Sequence, residues 1–203
     1  MELSKVTMIL RGYNVEQVRT VAEVLLHAKY VRNMEITLNT DNAYEIIQII
    51  SNEFQGKLNV GAGTVQTYDE LKKAVDAGAK FVLSPRQMSY DMLAYCKERG
   101  IVSVPGSFTP SEIGDQFAMG ADIVKVFPAN ELSLKYAKKV CEPMGDLKLM
   151  AVGGINRENV REALDSGYKY VGTAGGLFPK DQIAQMDKEK MLISLKEFEA
   201  ELD

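Results

Sequence analysis

One segment decides the fold class of this chain: AMGADIVKVFP, residues 118–128. It reads as the end of a helix, a glycine at position 120, and then a short run of branched apolar residues. Glycine adopts the left-handed backbone conformation that ends many helices, and a Val/Ile-rich run is typical of a parallel strand buried on both faces. The segment therefore predicts a helix, a turn and a buried strand, with Lys125 inside the strand.

The same unit recurs along the chain. Related segments are DAGAKFVLSP (76–85), KERGIVSVPG (97–106) and DSGYKYVGTA (165–174). The glycines that follow helical segments stand at positions 56, 78, 100, 120, 145 and 167, with spacings of 22, 22, 20, 25 and 22. A period of this length indicates a repeated supersecondary unit. The repeat predicts strands that alternate with helices from end to end.

Eight strands are predicted from the apolar runs. They are Val6–Leu10, Met34–Leu38, Leu58–Gly61, Phe81–Ser84, Val102–Val104, Ile123–Phe127, Leu147–Val152 and Tyr170–Gly172. Thr67 and Thr109 each begin a capping box, the pattern that starts a helix, and Lys188–Ala200 forms a closing amphipathic helix.

Eight βα units fit either a closed barrel or an open doubly wound sheet. The G-x-G-x-x-G fingerprint that an open dinucleotide-binding sheet carries after its first strand is absent here. The segment Gly61-Ala62-Gly63 lacks the third glycine and is interpreted as a tight loop. We therefore predict an α/β fold, a (β/α)8 TIM barrel with a parallel eight-stranded closed sheet, as one domain over residues 1–203.

Composition argues against several classes of protein. The formal net charge of −4 argues against nucleic acid as a partner. The single histidine, His27, is interpreted as a structural helix residue, so histidine triads and histidine-rich metal sites are not expected. Cys96 and Cys141 form no C-x-x-C pair, which argues against a thiolate zinc site. No run approaches the ~20 apolar residues of a membrane span, so we expect no membrane partner and a cytoplasmic protein.

Two ionisable residues lie inside apolar strands, where charge is costly. Lys125 sits within Ile123–Phe127, and Glu35 sits within Met34–Leu38. Desolvation lowers the pKa of a lysine toward the neutral amine, which is the nucleophile that forms a Schiff base with a carbonyl. A buried carboxyl with a raised pKa suits proton transfer near neutral pH. The alternative is a lysine–carboxylate pair that serves the fold alone.

Further candidates follow the strands at the barrel mouth where active sites form. Arg11 ends the first strand and presents a planar fork suited to a substrate carboxylate. Gly153-Gly154 and Gly175-Gly176 follow the last two strands, where such barrels hold phosphate on backbone N–H groups and a helix N-terminus. Simple tight turns are the alternative interpretation of these glycines.

Short motifs in a fixed order make the chain resemble the 2-keto-3-deoxy-6-phosphogluconate (KDPG) and 4-hydroxy-2-oxoglutarate (KHG) aldolase family, with features of the 2-keto-3-deoxy-6-phosphogalactonate branch. The motifs are Glu35-Ile36-Thr37-Leu38, Gly61-Ala62-Gly63-Thr64-Val65, Ser84-Pro85, Pro105-Gly106, Lys125-Val126-Phe127-Pro128-Ala129 and Val152-Gly153-Gly154-Ile155. The resemblance extends from Ile9 to about Pro179.

The resemblance implies a role for each of these positions. Lys125 corresponds to the Schiff-base lysine and Glu35 to the general acid/base. The positions that line the pyruvate end of the site are Thr64, Pro85 and Phe127, and the glycine loops correspond to the phosphate end. It also implies a homotrimer, a small 2-keto acid as substrate, and a reaction that needs no metal and no cofactor.

Two departures from the family pattern affect the substrate rather than the chemistry. The arginine that many gluconate-type members place four residues after the glutamate is Asn39 here, so Arg11 is expected to bind the substrate carboxylate. Side-chain hydroxyls that help to hold phosphate in some members are replaced by Val152 and Gly175, which leaves phosphate to backbone donors.

The expected activity is cleavage of a 2-keto-3-deoxy-6-phospho sugar acid, of gluconate or galactonate type, to pyruvate and glyceraldehyde 3-phosphate. Cleavage of 4-hydroxy-2-oxoglutarate to pyruvate and glyoxylate is an alternative. A sugar-phosphate isomerase or epimerase would use Glu35 as base and Lys125 as its charge partner, without an imine. A non-catalytic barrel that senses a sugar phosphate is a further alternative.

Overall fold

Parallel strands alternate with helices along residues 2–203, the part of the chain that this computed structural model describes. The strands are β1 Val6–Leu10, β2 Asn33–Thr37, β3 Asn59–Gly63, β4 Phe81–Leu83, β5 Val102–Val104, β6 Gly106–Ser107, β7 Val124–Val126, β8 Leu149–Val152 and β9 Tyr170–Thr173. The helices are α1 Val15–Leu25, α2 Ala43–Glu53, α3 Tyr68–Asp76, α4 Tyr90–Arg99, α5 Pro110–Ala118, α6 Tyr136–Met144, α7 Val160–Asp165, α8 Lys180–Ala184 and α9 Lys188–Ala200, with a 3-10 turn at Ala129–Glu131.

The strands close into a barrel in which two short strands complete one position. The sheet order is β5-β4-β3-β2-β1-β9-β8-β7-β6, and only Pro105 separates β5 from β6 along the chain. The two ends of the sheet are therefore halves of one interrupted strand. The Lys125 N–H donates to the Pro105 carbonyl at 2.9 Å across the junction, whereas Pro105 has no N–H of its own to continue the ladder. The predicted (β/α)8 barrel is confirmed.

Some predicted boundaries were wrong. The fifth strand continues past Val104 through Gly106–Ser107, and the third runs Asn59–Gly63 rather than Leu58–Gly61. Gly61-Ala62-Gly63 is thus strand rather than a tight loop, because its backbone pairs with β2. His27 is an exposed turn residue beyond α1, where the N–H groups of His27 and Ala28 bond to carbonyls three residues back and end the helix.

Other local predictions are confirmed. The Thr67 and Thr109 side chains accept from the backbone N–H groups of Glu70 and Glu112, and both glutamates reach back to complete the capping boxes. The six repeat glycines all have positive φ, between 65° and 106°. This backbone conformation ends each helical segment, and glycine adopts it without the steric cost that a Cβ would impose.

Apolar side chains form two layers around the strands. The larger layer packs the helices onto the outer face of the barrel. The smaller one fills the interior with Phe81, Leu83, Val104, Ile123, Met150 and Val152, to which Leu3 also belongs. Among the described residues, no helix has the length and apolar character needed to cross a membrane.

Candidate active site

Lys125 projects from β7 into the barrel. Its neighbours two positions away, Ile123 and Phe127, belong to or pack against the interior cluster, and side chains two apart on a strand share a face. The Lys125 side chain is only 5% exposed. Its Nζ lies 4.6 Å from the centre of the Phe127 ring. An amine is therefore held in an apolar wall of the barrel.

Glu35 projects into the same interior from β2. Met34 and Ile36 on either side of it pack in the outer layer, so alternation turns Glu35 inward. The residue is 2% exposed, and its buried Oε2 has no hydrogen-bond partner within residues 2–203. Glu35 and Lys125 take part in none of the ion pairs formed within residues 2–203. The two groups therefore face a shared interior without a direct pair.

Burial shifts the pKa values of both groups in the direction that favours the neutral acid and the neutral amine. Desolvation raises the pKa of Glu35 to about 7, against the opposing charges of Lys125 and Arg11. Desolvation also lowers the pKa of Lys125; the Glu35 charge opposes this shift and the Arg11 charge adds to it. A carboxyl whose pKa is near 7 can both donate and accept a proton at neutral pH. A lysine with a lowered pKa supplies a nucleophilic amine.

Glycines on the inner face make room for these side chains. A Cβ added at Gly63 would overlap Glu35 Oε1, and one at Gly61 would lie 2.6 Å from the Phe81 ring. Gly106 pairs in register with Lys125, and a Cβ there would lie 2.7 Å from the Pro85 backbone. Sequence reasoning missed this role. Two glycines spaced by one residue within a strand were the available signal, because that spacing puts both on one face.

Thr64 follows β3 directly and adopts a strained backbone conformation. Its φ is 60°, in the left-handed region, which is a genuine outlier for a β-branched residue. Such strain costs about 1–3 kcal/mol and persists where the surroundings impose it, often at functional sites. The conformation therefore marks the end of β3 as a constrained part of the barrel mouth.

A cavity of about 870 Å³ opens at the carboxyl ends of β1, β8 and β9. The structure brings Arg11 together with Gly153, Gly154, Gly175 and Gly176 in its lining. A Cβ at Gly153 or Gly154 would clash with Asn130, and one at Gly176 would overlap the Ile155 carbonyl, whereas Gly175 faces open space. Packing therefore accounts for three of the four glycines.

Backbone donors in this cavity are free. The N–H groups of Gly154, Gly175 and Gly176 donate to no other backbone group within residues 2–203. Unpaired N–H groups that converge on a cavity suit an anion. Val152, which stands where some family members have a hydroxyl, is buried but contributes to the lining. Asn39 is exposed and does not contribute.

Pro85 and Phe127 line a separate cavity of about 310 Å³ beside Gly106. Thr64 belongs to the lining of neither cavity. The predicted residues of the pyruvate end are thus distributed around the mouth, with the Phe127 ring linking this side to Lys125. Within residues 2–203, no group of three or more His, Cys, Asp and Glu side chains is placed to hold a metal ion.

Comparison with known proteins identifies the family of this barrel. The family model described as KDPG and KHG aldolase matches residues 1–193. The chain belongs to this aldolase family. A 2-dehydro-3-deoxy-phosphogluconate aldolase of Dickeya dadantii is 32% identical over 170 residues, which cover 82% of this chain and 78% of the relative.

Two further relatives place this aldolase within the family. A probable 2-dehydro-3-deoxy-6-phosphogalactonate aldolase of Rhizobium meliloti is 27% identical and covers 95% of this chain and 90% of its own. The solved KDPG aldolase of Legionella pneumophila, which holds pyruvate as a covalent carbinolamine intermediate, superimposes with a TM-score of 0.84. It is 27% identical, over 97% of this chain and 93% of that one. The resemblance stated from the motifs is confirmed.

Proposed function

We propose that this aldolase cleaves a 2-keto-3-deoxy-6-phospho sugar acid through a Schiff base on Lys125, with Glu35 as the general acid and base. The observation that carries the proposal is the pair itself. A buried amine and a buried carboxyl face one barrel interior, and burial moves both pKa values toward neutral pH. A purely structural pair would gain little from such an arrangement, because burying two charges costs more than their attraction returns in most settings.

The proposed reaction balances protons within the site. Lys125 adds to the C2 carbonyl, and loss of water gives the protonated imine. Glu35, directly or through a water, takes the proton of the C4 hydroxyl as the C3–C4 bond breaks. The imine accepts the electron pair, so glyceraldehyde 3-phosphate leaves and an enamine of pyruvate remains. Glu35 then returns its proton to C3, and hydrolysis frees pyruvate and the amine.

We assign the two ends of the substrate to different parts of the barrel mouth. We assign the carboxylate and pyruvate end to Arg11, Thr64, Pro85 and Phe127. We assign the phosphate to Gly153, Gly154, Gly175 and Gly176. Unpaired N–H groups support the phosphate assignment, and the effect of the Arg11 charge on the pKa values of both Glu35 and Lys125 supports its proximity to the reacting pair.

The choice among substrates is also a proposal. The relatives named above act on phosphogluconate and phosphogalactonate derivatives, so both C4 epimers of the phosphorylated acid are candidates. 4-Hydroxy-2-oxoglutarate is the alternative, because Val152 and Gly175 offer no side-chain hydroxyl for a phosphate. The reaction requires no metal and no cofactor.

The organisation of the protein completes the proposal. We assign residues 1–203 to a single-domain enzyme; the support is that the strands of residues 2–203 form one sheet, with the helices packed on its outer face. The family resemblance supports a homotrimer and a cytoplasmic location, as for an enzyme of sugar-acid metabolism. Light scattering coupled to gel filtration tests the assembly: three times the mass of one 22.5 kDa chain is expected.

Pyruvate release from purified substrates tests the activity. We expect release from at least one C4 epimer of the phosphorylated acid, insensitivity to a metal chelator, and loss of turnover in Lys125→Met. Glu98→Gln, which changes an exposed carboxylate on α4, is the control and should cleave normally. Epimerisation or isomerisation without cleavage, or cleavage that a chelator abolishes, would contradict the proposal.

A further inference from the structure

Lys180 is a cation in the lining of the cavity of about 870 Å³, and neither the sequence motifs nor the proposed chemistry use it. It is the first residue of α8 and lines the same cavity as Arg11 and the glycine loops. The residue is exposed. Lys180 takes part in none of the ion pairs formed within residues 2–203. Its charge is therefore available to a ligand in the cavity.

The other charged side chains of the cavity lining are Arg11, Arg157 and Glu158. Arg157 forms an ion pair with Glu197 at 2.5 Å. Arg11 follows β1, and its charge influences the reacting pair. Glu158 is the acidic residue of the lining. Lys180 is thus the lysine that can meet an anion at the glycine loops.

The backbone that carries Lys180 is well anchored. Phe178 precedes it and Ile183 follows it, and both are buried, with 0% and 1% exposure. The Phe178 N–H donates to the Ala174 carbonyl, which ties this segment to the loop that contains Gly175 and Gly176. A flexible side chain on a fixed attachment point loses less entropy on binding than a mobile loop does. Lys180 and the open N–H groups therefore line one cavity, on backbone segments that are tied together.

We propose that the Lys180 ammonium binds the terminal phosphate of the substrate and so sets the preference for phosphorylated over unphosphorylated 2-keto acids. This inference rests on the proposed aldolase function. Open N–H groups and one ammonium can share the oxygens of a dianion. Val152 and Gly175 offer no side-chain hydroxyl for the phosphate, and the Lys180 charge takes the place of those missing donors. A substrate that ends in a neutral hydroxyl gains little from it.

Steady-state kinetics on two substrates that differ only in the phosphate test this inference. Lys180→Met keeps the length of the side chain and removes its charge. We expect KM for the phosphorylated acid to rise roughly tenfold to a hundredfold, the range for a lost charge-assisted hydrogen bond, with kcat changed less than about twofold. The kcat/KM for the unphosphorylated acid should stay the same. Lys180→Arg should retain most of the preference.

Two controls keep the outcomes distinct. Lys196→Met removes an exposed lysine of α9 outside the cavity and should leave both substrates unaffected. Inorganic phosphate should inhibit the wild type competitively and Lys180→Met more weakly. If Lys180→Met keeps the wild-type ratio between the two substrates, the inference is wrong while the aldolase remains. If the wild type releases no pyruvate from either acid, the proposed function fails first.

Discussion

Replacing Glu35 by glutamine should stabilise the fold above neutral pH while it stops turnover. The carboxyl has a raised pKa in the folded protein because burial disfavours its charge. Its Oε2 has no hydrogen-bond partner in the described part of the chain. Above pH 7 the folded protein must therefore hold a poorly solvated carboxylate, which the unfolded chain hydrates. Glutamine has nearly the same shape and carries no charge.

The magnitude follows from the pKa shift. A change from 4.5 in the unfolded chain to about 7 in the fold corresponds to about 3 kcal/mol when converted at 1.36 kcal/mol per pKa unit. The sign is set by linkage: the folded protein binds the proton more tightly, so stability is fully present below pH 4.5 and is lost as pH rises through about 7. The value of about 7 already includes the attraction of Lys125 and Arg11, so no separate offset is subtracted and we expect a difference of about 2–3 kcal/mol at high pH.

Urea unfolding at about pH 5 and about pH 8 measures this difference. Glu35→Gln should differ little from the wild type at the lower pH, apart from a constant term for its unpartnered amide, and should gain stability relative to it at the higher pH. Glu98→Gln, which changes an exposed carboxylate on α4, serves as the control. A Glu35→Gln difference that is the same at both pH values would refute the assignment of a buried carboxyl with a raised pKa.

Three further substitutions test the site from other directions. Arg11→Met should raise the pKa values of both Glu35 and Lys125, because the Arg11 charge lowers both. The pH profile of kcat/KM should therefore move to higher pH, and a shift to lower pH would argue against this placement of Arg11. Gly63→Ala should destabilise the fold by about 1–3 kcal/mol in urea unfolding, because its Cβ overlaps Glu35, and unchanged stability would show that the interior has spare room. Thr64→Gly should raise the free energy of unfolding by up to about 1 kcal/mol by relieving its left-handed φ, yet lower kcat; full activity would mean that the strain serves no function.

Most of the fold could be predicted from the regular spacing of the glycines. Each repeat glycine ends a helical segment with positive φ, and local chemistry alone is enough to predict that. The junction at Pro105 could not be predicted, because whether a strand continues beyond a proline depends on which neighbour it pairs with. Gly106–Ser107 pairs with β7, and that contact is distant in sequence.

Some residues of the candidate site could be predicted from the sequence, and others could not. Lys125 and Glu35 were visible because charged residues inside apolar strands are rare and costly. The cavity residues depended on tertiary placement: Lys180 is an ordinary exposed lysine in the sequence and becomes notable only because α8 sets it beside the loops after β8 and β9. Gly61 and Gly63 were misinterpreted because a glycine pair resembles a turn until its strand partners are known.

Trapping the covalent intermediate tests the central claim most directly. Pyruvate and borohydride are added to the wild type, and the digested protein is mapped by mass spectrometry. We expect a reduced pyruvate adduct on Lys125, absent from Lys125→Met and from a sample without pyruvate. An active enzyme whose Lys125 stays unmodified, or an adduct confined to another lysine, would contradict it.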